Sequence, residues 1–187
     1  TDAVALECVT QAVGAVRFEI ESLLSMAMAN SPMANADIRV SAGNFITAQP
    51  AGVLDGVDMM YTGEVRKVDT TAIRYRLDDG EMVLLSTIGY SPTGEIFNLP
   101  LEDVATSAAI ALRADKLLFL LDPPGVTTPE GELQTELTAQ QAEQFLDALA
   151  GLGEDQRLAP VVGLQQVQEQ FGLALLVHRN QPLFDAL

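Results

Sequence analysis

An α/β fold with a mainly parallel sheet is predicted by three features of the sequence. Segments with apolar residues at helical spacing alternate with short β-branched or continuously apolar runs, and Gly, Pro or capping residues stand at most junctions. Strands separated by helices pair most readily in parallel through crossover connections. The 187 residues suffice for one sizeable core, and 48% apolar residues without a long unbroken apolar run fit a globular domain with no membrane span.

The elements follow in order. Thr1 and Asp2 can cap a helix whose apolar positions Val9, Val13, Val16, Ile20, Leu23 and Leu24 recur at helical spacing, and Asn30, Ser31 and Pro32 break it. "IRVSAGNFITAQP" and "MMYTGEVRKVD" read as strands. Asp69 or Thr70 caps a short helix carrying Ile73 and Leu77, which Gly80 closes. "EMVLLSTIG" has the continuous apolar middle of a strand covered on both faces. A helix from Leu101 to Ala114 leads into the strand "KLLFLL" and the turn "DPPGV". Beyond Val126, "TTPEGELQTELT" reads as a surface hairpin and 139–152 as a helix with Phe145, Leu146 and Leu149 on one side. "LQQVQEQFGLALLVH" reads as a helix and a last strand.

Charge and cysteine usage narrow the function classes. A formal charge of −16 repels nucleic acid and anionic lipid, so neither is an expected partner. The single cysteine, Cys8, forms no internal disulfide, which fits a reducing cytoplasm. Cys8 reads as helix packing rather than as a catalytic thiol, because the one histidine, His178, lies at the far end of the chain. The chain opens on Thr without a targeting segment and reads as a piece of a longer product.

The stretch from Thr93 to Val126 invites a test for phosphate binding, since a glycine turn at Gly94 runs toward a helix. A phosphate cradle needs clustered glycines and usually a lysine. The two lysines, Lys67 and Lys116, sit in or beside strand patterns, and no nucleotide-binding glycine motif occurs. Asn98 and Glu102 fall four residues apart across a loop-to-helix junction, at the carboxyl end of "EMVLLSTIG", an edge that open α/β sheets favour for ligands. They form one wall of a polar pocket, or else Asn98 turns the chain while Glu102 complements the positive helix start. Asp122, after "KLLFLL", is either a further ligand contact or a turn residue before Pro123. Gly94, Asn98, Glu102 and Asp122 are the ligand-binding candidates, and no catalytic or metal-ligating residue is assigned.

In order and spacing, "GEVRKVD" from Gly63, "GEIFNL" from Gly94 and "ALRADKLLFLLDPPGV" from Ala111 resemble the amino acid kinase family. "LLSMAMANSPM", "VSAGNFITAQPAGVLDGVD" and "STIGYSPTGEIFNL" look most like the kinase-like domains of bacterial N-acetylglutamate synthases, with the acetylglutamate kinases as nearest relatives. The resemblance is clear over residues 1–126 and weak after 151. It implies a three-layer α/β sandwich, incomplete at both ends, with residues 1–187 forming a partial kinase-like domain. By the same resemblance, the parent enzyme transfers the acetyl group of acetyl-CoA to the amino group of glutamate, at the start of arginine biosynthesis. Transfer belongs to an acetyltransferase domain not contained in this chain. The kinase-like domain carries oligomer contacts and an L-arginine feedback site, and it needs no cofactor of its own.

Departures from the kinase pattern sharpen the reading. Where the kinases have Asn-x-Asn-x-Asp, this chain has Asn98, Pro100 and Glu102, and where they have Thr-Asp it has Leu121 and Asp122. No lysine follows Lys116. Phosphoryl transfer depends on positioned positive charge, so ATP-dependent kinase activity is not expected. The alternative reading is an acetylglutamate kinase-like enzyme that binds an acyl amino acid at Asn98; a blander one is a truncation without function of its own. In the family the arginine pocket uses an acidic residue and glycines after the last strand. "HRNQPLFDAL" offers Asp185 and no glycine there.

Overall fold

Asp2 begins the first element: its side chain accepts a hydrogen bond from the Ala5 amide at 2.8 Å and caps α1 (Ala3–Leu24). The computed structural model describes residues 1–26, 38–120, 132–134, 136–150 and 173–177. The breaker at 30–32, the turn "DPPGV", half of the 127–138 hairpin and the helix expected at 164–171 lie outside those residues.

Five short strands follow α1: β1 (Val40–Ala42), β2 (Ile46–Pro50), β3 (Val53–Leu54), β4 (Val57–Asp58) and β5 (Gly63–Val68). Asp55 and Gly56 join β3 to β4 with φ of 50° and 81°. Two consecutive left-handed residues make the tight turn that Asp-Gly favours. Asp69 caps α2 (Thr70–Asp78) by accepting from the Ala72 amide at 3.0 Å. At the far end of α2, Gly80 takes φ of 77°; its amide bonds Leu77 O, and the Glu81 amide bonds Arg76 O, both at 3.0 Å. That pair of bonds is a Schellman ending, as the glycine signal implied.

"EMVLLSTIG" departs from its expected form. It splits into half-buried β6 (Met82–Leu84) and β7 (Ile88–Tyr90), which join different sheets. Between them the chain turns to other partners: Thr87 O accepts from the Leu99 amide at 2.8 Å, and Ser86 Oγ accepts from the Ile88 amide at 3.4 Å. β8 (Ile96–Asn98) and α3 (Leu101–Leu112) come next, and Arg113 caps α3 in the left-handed conformation, so that the helix ends two residues short of the predicted Ala114. β9 (Lys116–Leu120), α4 (Ala139–Ala150) and β10 (Leu173–Val177) complete the described elements, with β10 on the last-strand position expected from the sequence.

The chain divides into two compact units, the first built mainly from Thr1–Leu118 and the second from Phe119–Leu175. In the first, the central sheet has the order β5-β2-β7-β8. β2 and β7 run parallel, as do β1 and β6, while β2–β5 and β7–β8 are antiparallel. The α/β fold is therefore the expected one, with parallel elements, and hairpin connections add the antiparallel pairs.

The core lies between this sheet and two helices. Ile46, Ala48, Val68, Phe97 and Leu99 from the strand region meet Ile73 of α2 and Val104, Ala108 and Leu112 of α3. The α3 residues recur at four-residue spacing, which places them on one face. Arg74 Nη2 donates to Leu112 O at 2.8 Å and ties α2 to the end of α3. α1, by contrast, has no buried residue. Leu6, Val9, Val13, Val16, Ile20 and Leu24 are half-buried, whereas Cys8 is exposed and does not pack as its helical position suggested. The reason is that Cys8 falls off the stripe these residues form. Among the described residues no helix is long and apolar enough to cross a membrane.

Candidate functional site

The candidate site is built where β8 hands the chain to α3. Asn98 is the last residue of β8, half-buried, and its backbone amide donates to Tyr61 O at 2.9 Å. That bond accompanies a parallel bridge between Thr62 and Asn98, so the start of β5 lies beside the end of β8. Two close approaches accompany this bridge. A Cβ on Gly63 would stand 2.7 Å from Phe97 Cβ and 2.9 Å from Gln49 O, so only glycine fits.

The beginning of α1 meets the same corner. Tyr61 N donates to Thr1 O at 2.9 Å, and Thr1 N donates to Thr62 Oγ1 at 2.7 Å. Thr1 Oγ1 then accepts twice, from Thr62 Oγ1 at 3.0 Å and from Asn98 Nδ2 at 3.2 Å. Three segments far apart in the chain thus converge on one polar cluster. The second Asn98 amide hydrogen and its Oδ1 have no partner among the described residues, so the side chain retains capacity for a ligand.

The other candidates fall around this point unevenly. Pro100 occupies the N-cap of α3 without a side-chain bond, so Asn98 does not cap that helix. Glu102 and Asp103 lie in the first turn of α3, where negative charge complements the exposed amides. Glu102 is half-buried and two residues beyond Pro100, on the same junction as Asn98. Gly94 lies at the opposite end of the β7–β8 hairpin, since Tyr90 pairs with Ile96 and Ile88 with Asn98. With φ of 90° it forms a turn in which its amide donates to Ser91 O at 3.0 Å. Asp122 lies outside the described residues.

Lys67 and Lys116 are both exposed, and Lys67 pairs across from Thr47 near the far end of β5, roughly 16 Å along the strand from Thr62 at the usual rise per residue. Among the described residues no group of His, Cys, Asp and Glu side chains could hold a metal ion. Thr1 and Thr62 carry no sequence motif that marks them as partners of Asn98. The readable signal near them was Asp55-Gly56, a hairpin dipeptide that brings Thr62 back beside Ala51, whose amide donates to Thr62 O at 3.0 Å.

Comparison with known proteins places this architecture. Residues 1–160 match the model of the amino acid kinase family. The chain belongs to the amino acid kinase family. Among curated relatives, the amino-acid acetyltransferase of Azotobacter vinelandii is 55% identical over 149 residues, covering 80% of this chain and 34% of the relative. That of Pseudomonas syringae pv. tomato is 54% identical over 151 residues, covering 81% and 35%. The chain thus spans about a third of the length of the curated relatives it matches. Among solved structures, N-acetylglutamate synthase from Neisseria gonorrhoeae complexed with coenzyme A and L-arginine superposes with a TM-score of 0.75 at 36% identity, over 84% of this chain and 36% of that one. The same enzyme complexed with coenzyme A and N-acetyl-glutamate gives 0.71 at 34% identity, over 88% and 37%. The curated relatives bear the name amino-acid acetyltransferase and the solved structures that of N-acetylglutamate synthase, which is the group that the sequence motifs resemble.

Proposed function

We propose that this chain is the kinase-like part of an N-acetylglutamate synthase, the enzyme that acetylates the amino group of glutamate with acetyl-CoA. In this reading the acetyl transfer takes place in a domain outside these residues, and acetyl-CoA is the substrate of that domain. The part described here is regulatory: it answers to L-arginine and contributes oligomer contacts, in the cytoplasm. The single observation that carries the reading is identity of 55% to an amino-acid acetyltransferase along four-fifths of the chain. The arginine assignment draws on the Neisseria gonorrhoeae neighbour, whose structure was determined with L-arginine.

At the candidate site, Asn98 offers an amide hydrogen and a carbonyl oxygen that have no partner among the described residues, and Glu102 adds a carboxylate at the same junction. The pair suits a small polar ligand with both donor and acceptor groups. Gly94, at the opposite end of the β7–β8 hairpin, does not belong to this corner, and Asp122 is a candidate from the sequence alone. Phosphoryl transfer is the weaker reading, because both lysines are exposed and Lys67 lies far along β5 from this corner. An acyl amino acid at Asn98 without ATP turnover remains compatible with the open valences of its side chain.

Oligomer contact is assigned to α1. Its apolar positions Leu6, Val9, Val13, Val16, Ile20 and Leu23 alternate at three- and four-residue spacing, the pattern of a helix that packs along a seam against another helix. Among the described residues none of them is fully buried: Leu6, Val9, Val13, Val16 and Ile20 are half-buried and Leu23 is exposed.

Isothermal titration with L-arginine, using L-lysine as the control for non-specific cation binding, tests the regulatory reading. Saturable heat with arginine alone is the expected result. Equal response to both amino acids, or none from protein whose fold is verified by circular dichroism, overturns it for these residues.

A further inference from the structure

The sequence holds two Asp-Gly steps, Asp55-Gly56 and Asp79-Gly80, and no Asn-Gly step. In such a step the aspartyl carboxyl is open to attack by the next backbone nitrogen, because glycine puts no side chain beside that nitrogen. The fold treats the two steps differently. Gly80 N donates to Leu77 O and Glu81 N to Arg76 O, both at 3.0 Å, so the nitrogen that follows Asp79 is held in the Schellman ending of α2. Gly56 N and the Asp55 carboxylate have no hydrogen-bond partner among the described residues. Both residues are exposed at the tip of the β3–β4 hairpin, and a Cβ on Gly56 would meet nothing within 4 Å beyond its chain neighbours, so a ring closing there has room.

From this contrast we propose that Asp55 is a site of isoaspartate formation and that Asp79 is protected from it. Gly56 N attacks Cγ of the neutral Asp55 carboxyl group. The N–Cγ bond forms, one C–O bond breaks, and the departing oxygen leaves as water with the amide proton and the carboxyl proton. The product is a five-membered succinimide, which water then opens. Cleavage between Gly56 N and Cγ restores aspartate, whereas cleavage between Gly56 N and the main-chain carbonyl carbon leaves an isoaspartyl linkage that runs through Cβ and Cγ. The water lost in the first step returns in the second, and nothing is oxidised or reduced. The extra backbone carbon falls inside the two-residue turn that sets Leu54 opposite Val57 and Val53 opposite Asp58. The hairpin is tied at its neck by Met59 N to Gly52 O at 2.9 Å and Ala51 N to Thr62 O at 3.0 Å, and none of residues 52–58 belongs to the core cluster, so the change stays in the ribbon.

The test is ageing of the full chain at neutral pH, folded and in urea. An isoaspartyl methyltransferase with labelled S-adenosylmethionine then marks the product, and peptide mapping places the label. In urea the two steps are locally alike and are expected to label at similar rates. In folded protein Asp55 is expected to label at least about fivefold faster than Asp79, the factor set by opening one net hydrogen bond. Asp55→Glu, whose longer side chain would have to close a six-membered ring, is expected to remove the label of the folded protein, and Asp79→Glu to leave it. Asp55→Asn, from which ammonia departs in place of water, is expected to raise it at the same position. Equal labelling of the two steps in folded protein overturns the proposal. So does a folded chain that gains no label at Asp55 while the unfolded chain gains it, or a label that persists in Asp55→Glu.

Discussion

Gly89 and Leu99 touch across the sheet so closely that a Cβ on Gly89 would stand 2.7 Å from Leu99 Cδ1 and 2.6 Å from Ala48 Cβ. Gly89 lies in β7, Ala48 in the adjacent β2, and Leu99 just past β8, so the glycine lets three consecutive parts of the sheet close on one core. Leu99 can swing aside, but the Ala48 methyl is fixed to the backbone. Gly89→Ala is therefore expected to cost about 1–3 kcal/mol through overpacking. Urea unfolding checks it, as a lower midpoint with an unchanged slope.

Ile73 sets the scale for ordinary core loss. It is 1% exposed and projects from α2 into the cluster shared with α3 and the sheet. Ile73→Val is expected to cost about 0.5–1.5 kcal/mol and Ile73→Ala about 2–5 kcal/mol. Thermal unfolding of the two variants should rank them in that order. Equal midpoints would show that the site is not packed as described.

The two ends of α2 make a matched pair of smaller predictions. Asp69→Ala removes the bond to the Ala72 amide and should cost about 1 kcal/mol. Gly80→Ala forces an L side chain into φ of 77° and should cost about 1–2 kcal/mol, although open space surrounds the new methyl. The two changes act nine or more residues apart with no shared partner, so a double variant is expected to show their sum. Chemical denaturation of the three proteins measures this.

Self-association offers a test of the α1 stripe. Val13→Asp places a charge in the middle of that stripe at a position already half exposed. Sedimentation velocity should show loss of the larger species in this variant, while circular dichroism stays that of wild type because α1 contributes no buried residue to the core. An unchanged sedimentation profile would remove α1 from the oligomer contact.

Helices were the legible part of the fold, and the reason is local. Asp2, Asp69 and Gly80 act on amides and carbonyls within a few residues, so their effect is written in adjacent letters. Strand partners are not written that way. "EMVLLSTIG" reads as one buried strand because its apolar run is continuous, yet Ser86 and Thr87 divide it and its halves pair with β1 and with β2 and β8. Cys8 illustrates the converse. Its place on an apolar-looking helix suggested packing, but burial depends on what covers the helix, and Cys8 is exposed. At the candidate site, Asn98 and Glu102 were visible from their position after a strand and before a helix. Thr62 and Thr1 were not, because their relation to Asn98 exists only once the sheet has closed. Gly94 and Asn98, neighbours in one motif, sit at opposite ends of a hairpin.

The bond from Asn98 to Thr1 spans 97 positions of sequence. On a ribosome that adds about 5–20 residues per second, Thr1 therefore waits on the order of 5–20 s for its anchor to be made. Through that interval α1 is complete, carries its apolar stripe, and lacks its bond to Asn98. On a polysome, where several copies emerge side by side, that wait is the window in which one nascent helix can meet another.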